Sequence, residues 1–167
     1  MKNRDPYHIL VVCTGNICRS AMGEVILREE LEKIAPGRFV VRSAGTHVYF
    51  HGAPAERSAV QAVRELGLDL SAHRTRQMDA SLADWADLIL GMEDWHCRQI
   101  ERSFPAARGK TFSFGGYARG RAGGADVDDP YGGSMRVFRA CAQEIAAHAQ
   151  RLAARLAGQA RKKNRPT

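Results

Sequence analysis

The chain has 167 residues, 44% of them apolar and 26% charged; that length fits about one domain, and the balance excludes disordered, collagen-like and disulfide-scaffold chains. No apolar run approaches the ~20 residues that span a bilayer, and Asp5 and Pro6 interrupt the N-terminus before a signal-peptide segment forms, so a cytoplasmic protein without stable membrane insertion is expected. The net charge of +7 is concentrated at one end: without Arg161, Lys162, Lys163 and Arg165 there remain 21 basic against 18 acidic residues.

Tyr7 to Val12 is a nearly continuous apolar run, the pattern of a short strand buried on both faces, and it stops at Cys13. Thr14, Gly15 and Asn16 are turn formers, and from Ser20 onward Met22, Val25, Ile26, Leu27, Leu31 and Ile34 recur near helical spacing. Arg38 to Arg42 predicts a second strand, closed by Ser43-Ala44-Gly45-Thr46. Pro54 is placed to open a helix that runs to Leu66, with Gly67 as its stop. Asp87 to Leu90 predicts a third strand, Glu93 to Arg102 a helix, and Thr111 to Phe114 a weak fourth strand. Gly115 to Gly133 is rich in Gly, Arg and Asp and predicts a loop, whereas Ser134 to Leu156 predicts a long amphipathic helix capped by Ser134.

Strands alternating with helices imply an α/β domain with a four-stranded parallel sheet and helices on both faces. Residues 1–158 are expected to form it, with 159–167 as a basic, disordered tail. No aromatic-interleaved basic stripe accompanies that tail, so no nucleic-acid partner is expected. The cysteines Cys13, Cys18, Cys97 and Cys141 are too scattered for a disulfide framework and read as reduced thiols. Cys97 and Cys141 fall in predicted helices as packing residues.

Ligands of such sheets bind outside the carboxyl ends of the strands, where Cys13 sits. Cys13-Thr14-Gly15-Asn16-Ile17-Cys18-Arg19-Ser20 places a cysteine and an arginine on one strand-to-helix loop. Backbone N–H groups of such a loop, with the dipole of the following helix, make a nest for a tetrahedral oxyanion. The same field favours thiolate over thiol, making Cys13 a nucleophile. The planar fork of Arg19 can grip two phosphate oxygens, a geometry lysine does not reproduce. Gly15 permits close approach of the loop amides, Asn16 can brace the loop, and the Ser20 hydroxyl can stabilise the sulfur as a leaving group. A phosphate ester also needs a general acid. Asp129, held extended by Pro130 in Asp128-Asp129-Pro130-Tyr131-Gly132-Gly133, is the candidate, and Tyr131 can stack on an aromatic substrate.

With these residues in view, the chain resembles a low-molecular-weight protein tyrosine phosphatase over nearly its whole length. The likeness is carried by Val12 to Ser20, by Ser43-Ala44-Gly45-Thr46, by His73 with Arg76-Gln77, by Asp87-Leu88-Ile89-Leu90 with Met92, and by Asp129-Pro130-Tyr131-Gly132-Gly133. The resemblance implies hydrolysis in two steps without metal or organic cofactor: Cys13 attacks phosphorus while Asp129 protonates the leaving oxygen, then Asp129 activates water against the thiophosphate. It implies phosphotyrosine proteins or peptides as substrates, a cognate tyrosine kinase, and inorganic phosphate as product and inhibitor. It also implies a supporting network of Asn16, Ser43 and His73, a phosphate cradle of Thr14, Gly15, Asn16, Ile17, Cys18 and Ser20, and pocket walls that include Tyr49 and Tyr131. In this family the thiol matching Cys18 can pair reversibly with the nucleophile. One departure is Ala21, where the family usually has proline, which is expected to loosen the helix start.

Two rivals share the fold. Related phosphoarginine phosphatases carry threonine where Ile17 stands, and a bulkier apolar side chain there narrows the pocket against a branched guanidinium. Arsenate reductases need a mobile thiol pair near the loop, for which Cys97 and Cys141 are poorly spaced. A non-catalytic phosphotyrosine-binding module would lack the nucleophile or the acid, and both are present. His47 and His51 have no convincing partner ligands for a metal, and Gly109-Lys110-Thr111 lacks the upstream glycine of a nucleotide loop, with Phe104 in its place.

Overall fold

The computed structural model describes residues 5–162, with side chains through Ala160. Strands β1 (Tyr7–Cys13), β2 (Phe39–Gly45), β3 (Leu88–Gly91) and β4 (Thr111–Ser113) form one parallel sheet in the order β2-β1-β3-β4. The helices are α1 (Arg19–Ile34), α2 (Arg57–Glu65), α3 (Ala80–Trp85), α4 (Asp94–Ser103), α5 (Phe114–Ala118) and α6 (Met135–Lys162).

The central strand β1 shows why the sheet is covered twice. Side chains alternate across a strand, and Ile9, Val11 and Cys13 enter a core with Met22, Ile26 and Leu27 of α1, Val63 of α2, and Phe138, Ile145 and Leu152 of α6. Leu10 and Val12 point the other way, into a smaller core with Leu82 and Ala83 of α3 and Ile100 of α4. Each fully buried Leu or Ile contributes about 1.5–3 kcal/mol, so both layers stabilise the strand that ends in Cys13. The sheet order also reverses direction between β2 and β3 around β1, which puts the loop after β1 at the crevice between the two layers.

Several elements differ from their predicted bounds for identifiable reasons. Strand β2 continues through Ser43, Ala44 and Gly45 because these pair with Val11, Val12 and Cys13 of the buried neighbour. Helix α2 begins at Arg57, not at Pro54, because the Glu56 carboxylate accepts from the N–H groups of Ser58 and Ala59 and sets the cap there. Helix α3, absent from the sequence reading, spans six residues capped by Asp79, too short for a periodic signal. Helix α5 begins at Phe114, which the sequence reading gave to the fourth strand, and runs into the Gly115 to Gly133 segment: Ser113 caps it, and Gly115 and Gly116 are small because the backbone carbonyls of Ala125 and Gly123 lie against them. Helix α6 runs to Lys162 because Leu152, Ala153, Leu156 and Ala157 prolong its buried stripe. Residues 159–162 are therefore helical, not tail; residues 163–167 of the expected tail lie outside the described residues. Among the described residues no helix is long and apolar enough to cross a membrane.

Candidate active site

The loop between β1 and α1 is held from outside by its carbonyls. Those of Cys13, Thr14 and Ile17 accept from the N–H groups of Thr46, His47 and Glu56 at 2.8–2.9 Å. The Asn16 carbonyl accepts from His73 Nε2 at 2.7 Å, and the Cys18 carbonyl from the Met22 N–H at 2.9 Å. Across a trans peptide the C=O and the following N–H point in opposite directions, and there are no cis bonds among the described residues. The amides of Thr14, Gly15, Ile17, Cys18 and Arg19 are thereby turned to the inner side of the loop, the arrangement that receives an anion. Helix α1 starts at Arg19 without a side-chain cap, and Ala21 is fully buried at that start.

Beneath the loop, polar side chains form a chain whose donors can be assigned. Asn16, with φ of 58°, is the one loop residue in left-handed backbone geometry. Its Oδ1 must be the acceptor facing the Arg76 N–H at 2.9 Å, so its Nδ2 spends both hydrogens, on Ser20 Oγ at 2.8 Å and Ser43 Oγ at 3.0 Å. Ser20 then has its own hydrogen free for Cys13 Sγ, 2.9 Å away, and Ser43 donates to Glu24 Oε2 at 2.6 Å. His73 Nε2 donates to the loop, leaving Nδ1 3.7 Å from the same Glu24 oxygen.

Burial works against ionisation of Glu24, but the adjacent His73 imidazole, the Ser43 hydrogen bond and the charge of Arg28 outweigh it and hold its carboxyl below the ordinary value. A depressed carboxyl contributes stability that is present above the ordinary carboxylate pKa of ~4.3 and is lost as pH falls through the lowered value. The parent is therefore expected to melt higher than Glu24→Gln at neutral pH, with the gap closing on acidification. Thermal melts of both proteins as a function of pH check this, and a gap that is constant with pH would contradict it.

Arg19, 2% exposed, is placed by two elements. Its NH1 donates to Glu93 Oε2 at 2.6 Å and to the Val127 carbonyl at 2.8 Å, and its NH2 lies 3.6 Å from Asp129 Oδ2. Burial opposes the charge on Arg19, yet the Glu93 bond and the surrounding negative groups dominate and favour the charged form. For Glu93 the same pair works in reverse: burial raises its carboxyl, and the Arg19 bond more than reverses that. Asp129 Oδ1 accepts from the Tyr131 N–H at 3.1 Å, so the Asp-Pro-Tyr turn aims the other carboxylate oxygen at Arg19.

A cavity of about 280 Å³ is lined by Cys13, Thr14, Gly15, Ile17, Cys18, Arg19, Tyr49, Asp129 and Tyr131. Asn16, Ser20, Ser43 and His73 lie behind it in the hydrogen-bonded chain, so the structure brings the residues expected at the phosphate site to one place. Tyr49 and Tyr131 are 90% and 67% exposed and form its rim. The segment carrying Tyr49 is tied down by Gln77, which accepts from the Val48 N–H and donates to the Thr46 carbonyl, and by the Thr75 hydroxyl, which donates to the Phe50 carbonyl. A larger cleft, about 730 Å³, opens behind Ser43 and His73 and does not include Cys13. Burial pushes the Cys18 thiol up, and the Cys97 and Cys141 thiols up to about 12. No cluster able to hold a metal occurs among the described residues.

The sequence reading did not include Glu24, Glu93 or His96. Glu93 carried a usable signal, because it lies two residues beyond the carboxyl end of β3, where ligand-facing residues of such sheets lie.

The sequence model described as Low molecular weight phosphotyrosine protein phosphatase matches residues 8–163. A protein-arginine-phosphatase of Geobacillus stearothermophilus is 38% identical, with 90% of this chain and 97% of the relative aligned. The low molecular weight protein-tyrosine-phosphatase Etp of Escherichia coli is 39% identical over 78% of this chain and 81% of its own. Among solved structures, the YwlE arginine phosphatase from Geobacillus stearothermophilus superposes with a TM-score of 0.86 at 36% identity, covering 97% of this chain and all of that one. The tyrosine phosphatase Wzb from Escherichia coli, solved with sulphate, gives 0.78 at 36% identity over 91% and 99%. A family match over nearly the whole chain, on a fold that closes a cysteine-to-arginine loop around an anion-sized cradle, leaves one conclusion: the chain belongs to the low molecular weight phosphotyrosine protein phosphatase family, a family of hydrolases.

Proposed function

We propose that this protein hydrolyses phosphotyrosine in proteins or peptides through a cysteinyl-phosphate intermediate, with Cys13 as nucleophile, Arg19 as phosphate clamp and Asp129 as general acid and then base. The observation that carries the reading is the donor assignment at Ser20: its hydroxyl hydrogen is directed at Cys13 Sγ, where it stabilises negative charge on sulfur before attack and after departure. Attack forms the S–P bond as the P–O ester bond breaks, and the proton of Asp129 goes to the leaving oxygen. Water then displaces sulfur, giving its proton to Asp129 and releasing inorganic phosphate. Arg19 is held by Glu93 and Val127 through NH1, which leaves the rest of its fork for the phosphoryl oxygens. The cytoplasmic setting and a kinase partner belong to the same reading and rest on the sequence.

Phosphoarginine is the second reading, and the similarity to arginine phosphatases over nearly the full chain favours it. The side chains of the pocket weigh towards tyrosine: Ile17 presents an apolar surface inside it, and Tyr49 and Tyr131 offer aromatic faces at the rim. Assayed with matched phosphotyrosine and phosphoarginine peptides, the parent is expected to favour phosphotyrosine in kcat/KM, and Ile17→Thr to shift the ratio towards phosphoarginine by about 10-fold or more. A parent that prefers phosphoarginine would overturn the assignment of substrate.

A further inference from the structure

The segment running from the turn after β3 into the first turn of α4 reaches the phosphate cradle at both ends. Glu93 grips Arg19 at the last position of the cradle, where α1 begins, as described above. Three residues on, the fully buried His96 reaches the first: its Nε2 lies 2.9 Å from Thr14 Oγ1. The tautomer follows from the other ring nitrogen. Nδ1 faces the Glu93 N–H at 3.1 Å, and an N–H only donates, so Nδ1 accepts and the ring proton sits on Nε2. Burial, helped by the Arg19 charge, pulls the imidazole down to about 4, so the neutral ring persists at neutral pH. Trp95 braces the same segment, its ring tilted by 33° against that of His96 with centroids 3.9 Å apart and its Nε1 donating to Glu93 Oε2 at 3.1 Å.

Thr14 Oγ1 also accepts from Arg19 NH2 at 3.5 Å. A hydroxyl has two acceptor sites and one donor. With nitrogen donors on both acceptor sites, the Thr14 hydrogen is turned away from His96 and Arg19, on a residue that lines the Cys13 cavity.

We propose that His96 is a positioning residue of the phosphoryl site: by donating from Nε2 to Thr14 Oγ1 it aims the Thr14 hydroxyl at a bound phosphoryl group and closes a ring of hydrogen bonds through Arg19 and Glu93. The proposal rests on reading the loop as a phosphoryl cradle. It adds one side-chain donor to the backbone amides and explains why a polar ring is buried in the first turn of α4, facing the site.

The test uses the full chain, with inorganic phosphate as probe by calorimetry and an aryl phosphate for kcat and KM. Thr14→Val keeps the shape and removes the hydroxyl; it is expected to weaken phosphate binding and raise KM about five- to tenfold, with kcat changed less than about twofold. Thr14→Ser is expected to restore both. His96→Phe removes the donor but keeps a ring, and should match Thr14→Val, with the double variant no weaker than either single one. If His96→Phe does not fold, the two Thr14 variants decide. Phosphate binding in Thr14→Val within about twofold of the parent, or single effects that multiply in the double variant, would overturn the proposal. A parent that binds phosphate but hydrolyses no phosphate ester would sink the enzymatic reading alone, because the phosphate affinities would still decide the role of His96. A parent that binds no phosphate would sink both.

Discussion

Arg19→Lys is expected to lower kcat/KM for aryl phosphates by about 10²–10³-fold while keeping the positive charge. The reason is geometric. One guanidinium edge is committed to Glu93 at 2.6 Å and to the Val127 carbonyl at 2.8 Å, and the remainder faces the loop and Asp129. An ammonium is a single point on a flexible stem; it can serve the anchor or the phosphoryl group but not both. The Val127 carbonyl, in a fully buried residue, loses its donor if lysine turns to Glu93 or to the site, at a cost of about 1–3 kcal/mol of stability. Steady-state kinetics together with thermal melts separate the two effects. A lysine variant within about tenfold of the parent in kcat/KM would mean that charge alone is needed and that the fork has no role.

Asp129→Ala is expected to slow hydrolysis of phosphotyrosine by about 10²–10⁴-fold. The loss should shrink for an ester whose leaving group departs without a proton, because the first step then no longer needs the acid. Folding should be little affected: the Asp129 side chain is 53% exposed and its ion pair with Arg19 spans 3.6 Å, which contributes little. Comparing kcat/KM, which reports the steps up to departure of the leaving group and not the slow second step, across esters of graded leaving-group acidity checks this. An equal loss for every ester would assign Asp129 to binding and not to proton transfer.

How much of this could be read from the sequence depended on whether the signal was local. The loop from Cys13 to Ser20 was legible because the chemistry, the turn formers and the buried strand before it are adjacent in the chain. Asp129 was legible because proline restrains the residue before it. Glu93 and His96 act on Arg19 and Thr14 across separations of 74 and 82 residues, through a sheet neighbour that spacing does not reveal. Glu24 was hidden in another way. It sits in the α1 pattern as an ordinary charged helix residue, and only the pairing of β1 with β2 brings Ser43 against it.

The fold showed the same division. Helix α5 was missed because its glycines are demanded by neighbouring backbone, not by a turn. The end of α6 was set too early because charged residues around its last turns masked a buried stripe that continues through Leu156 and Ala157. The residues of one loop, legible from their own chemistry, lie together at one cavity, whereas element bounds read from local composition had to yield to packing.

The proposed mechanism requires that phosphorus pass through a covalent bond to the sulfur of Cys13. It is tested most directly by acid-quenching the Asp129→Ala variant during turnover of an ester with a good leaving group and locating any phosphoryl group by peptide mass spectrometry. Without the carboxylate to activate water, the second step is slow, and the account predicts that phosphate accumulates on the peptide containing Cys13 and on no other. Sustained turnover with Cys13 unmodified, or a phosphoryl group on a different residue, would contradict it.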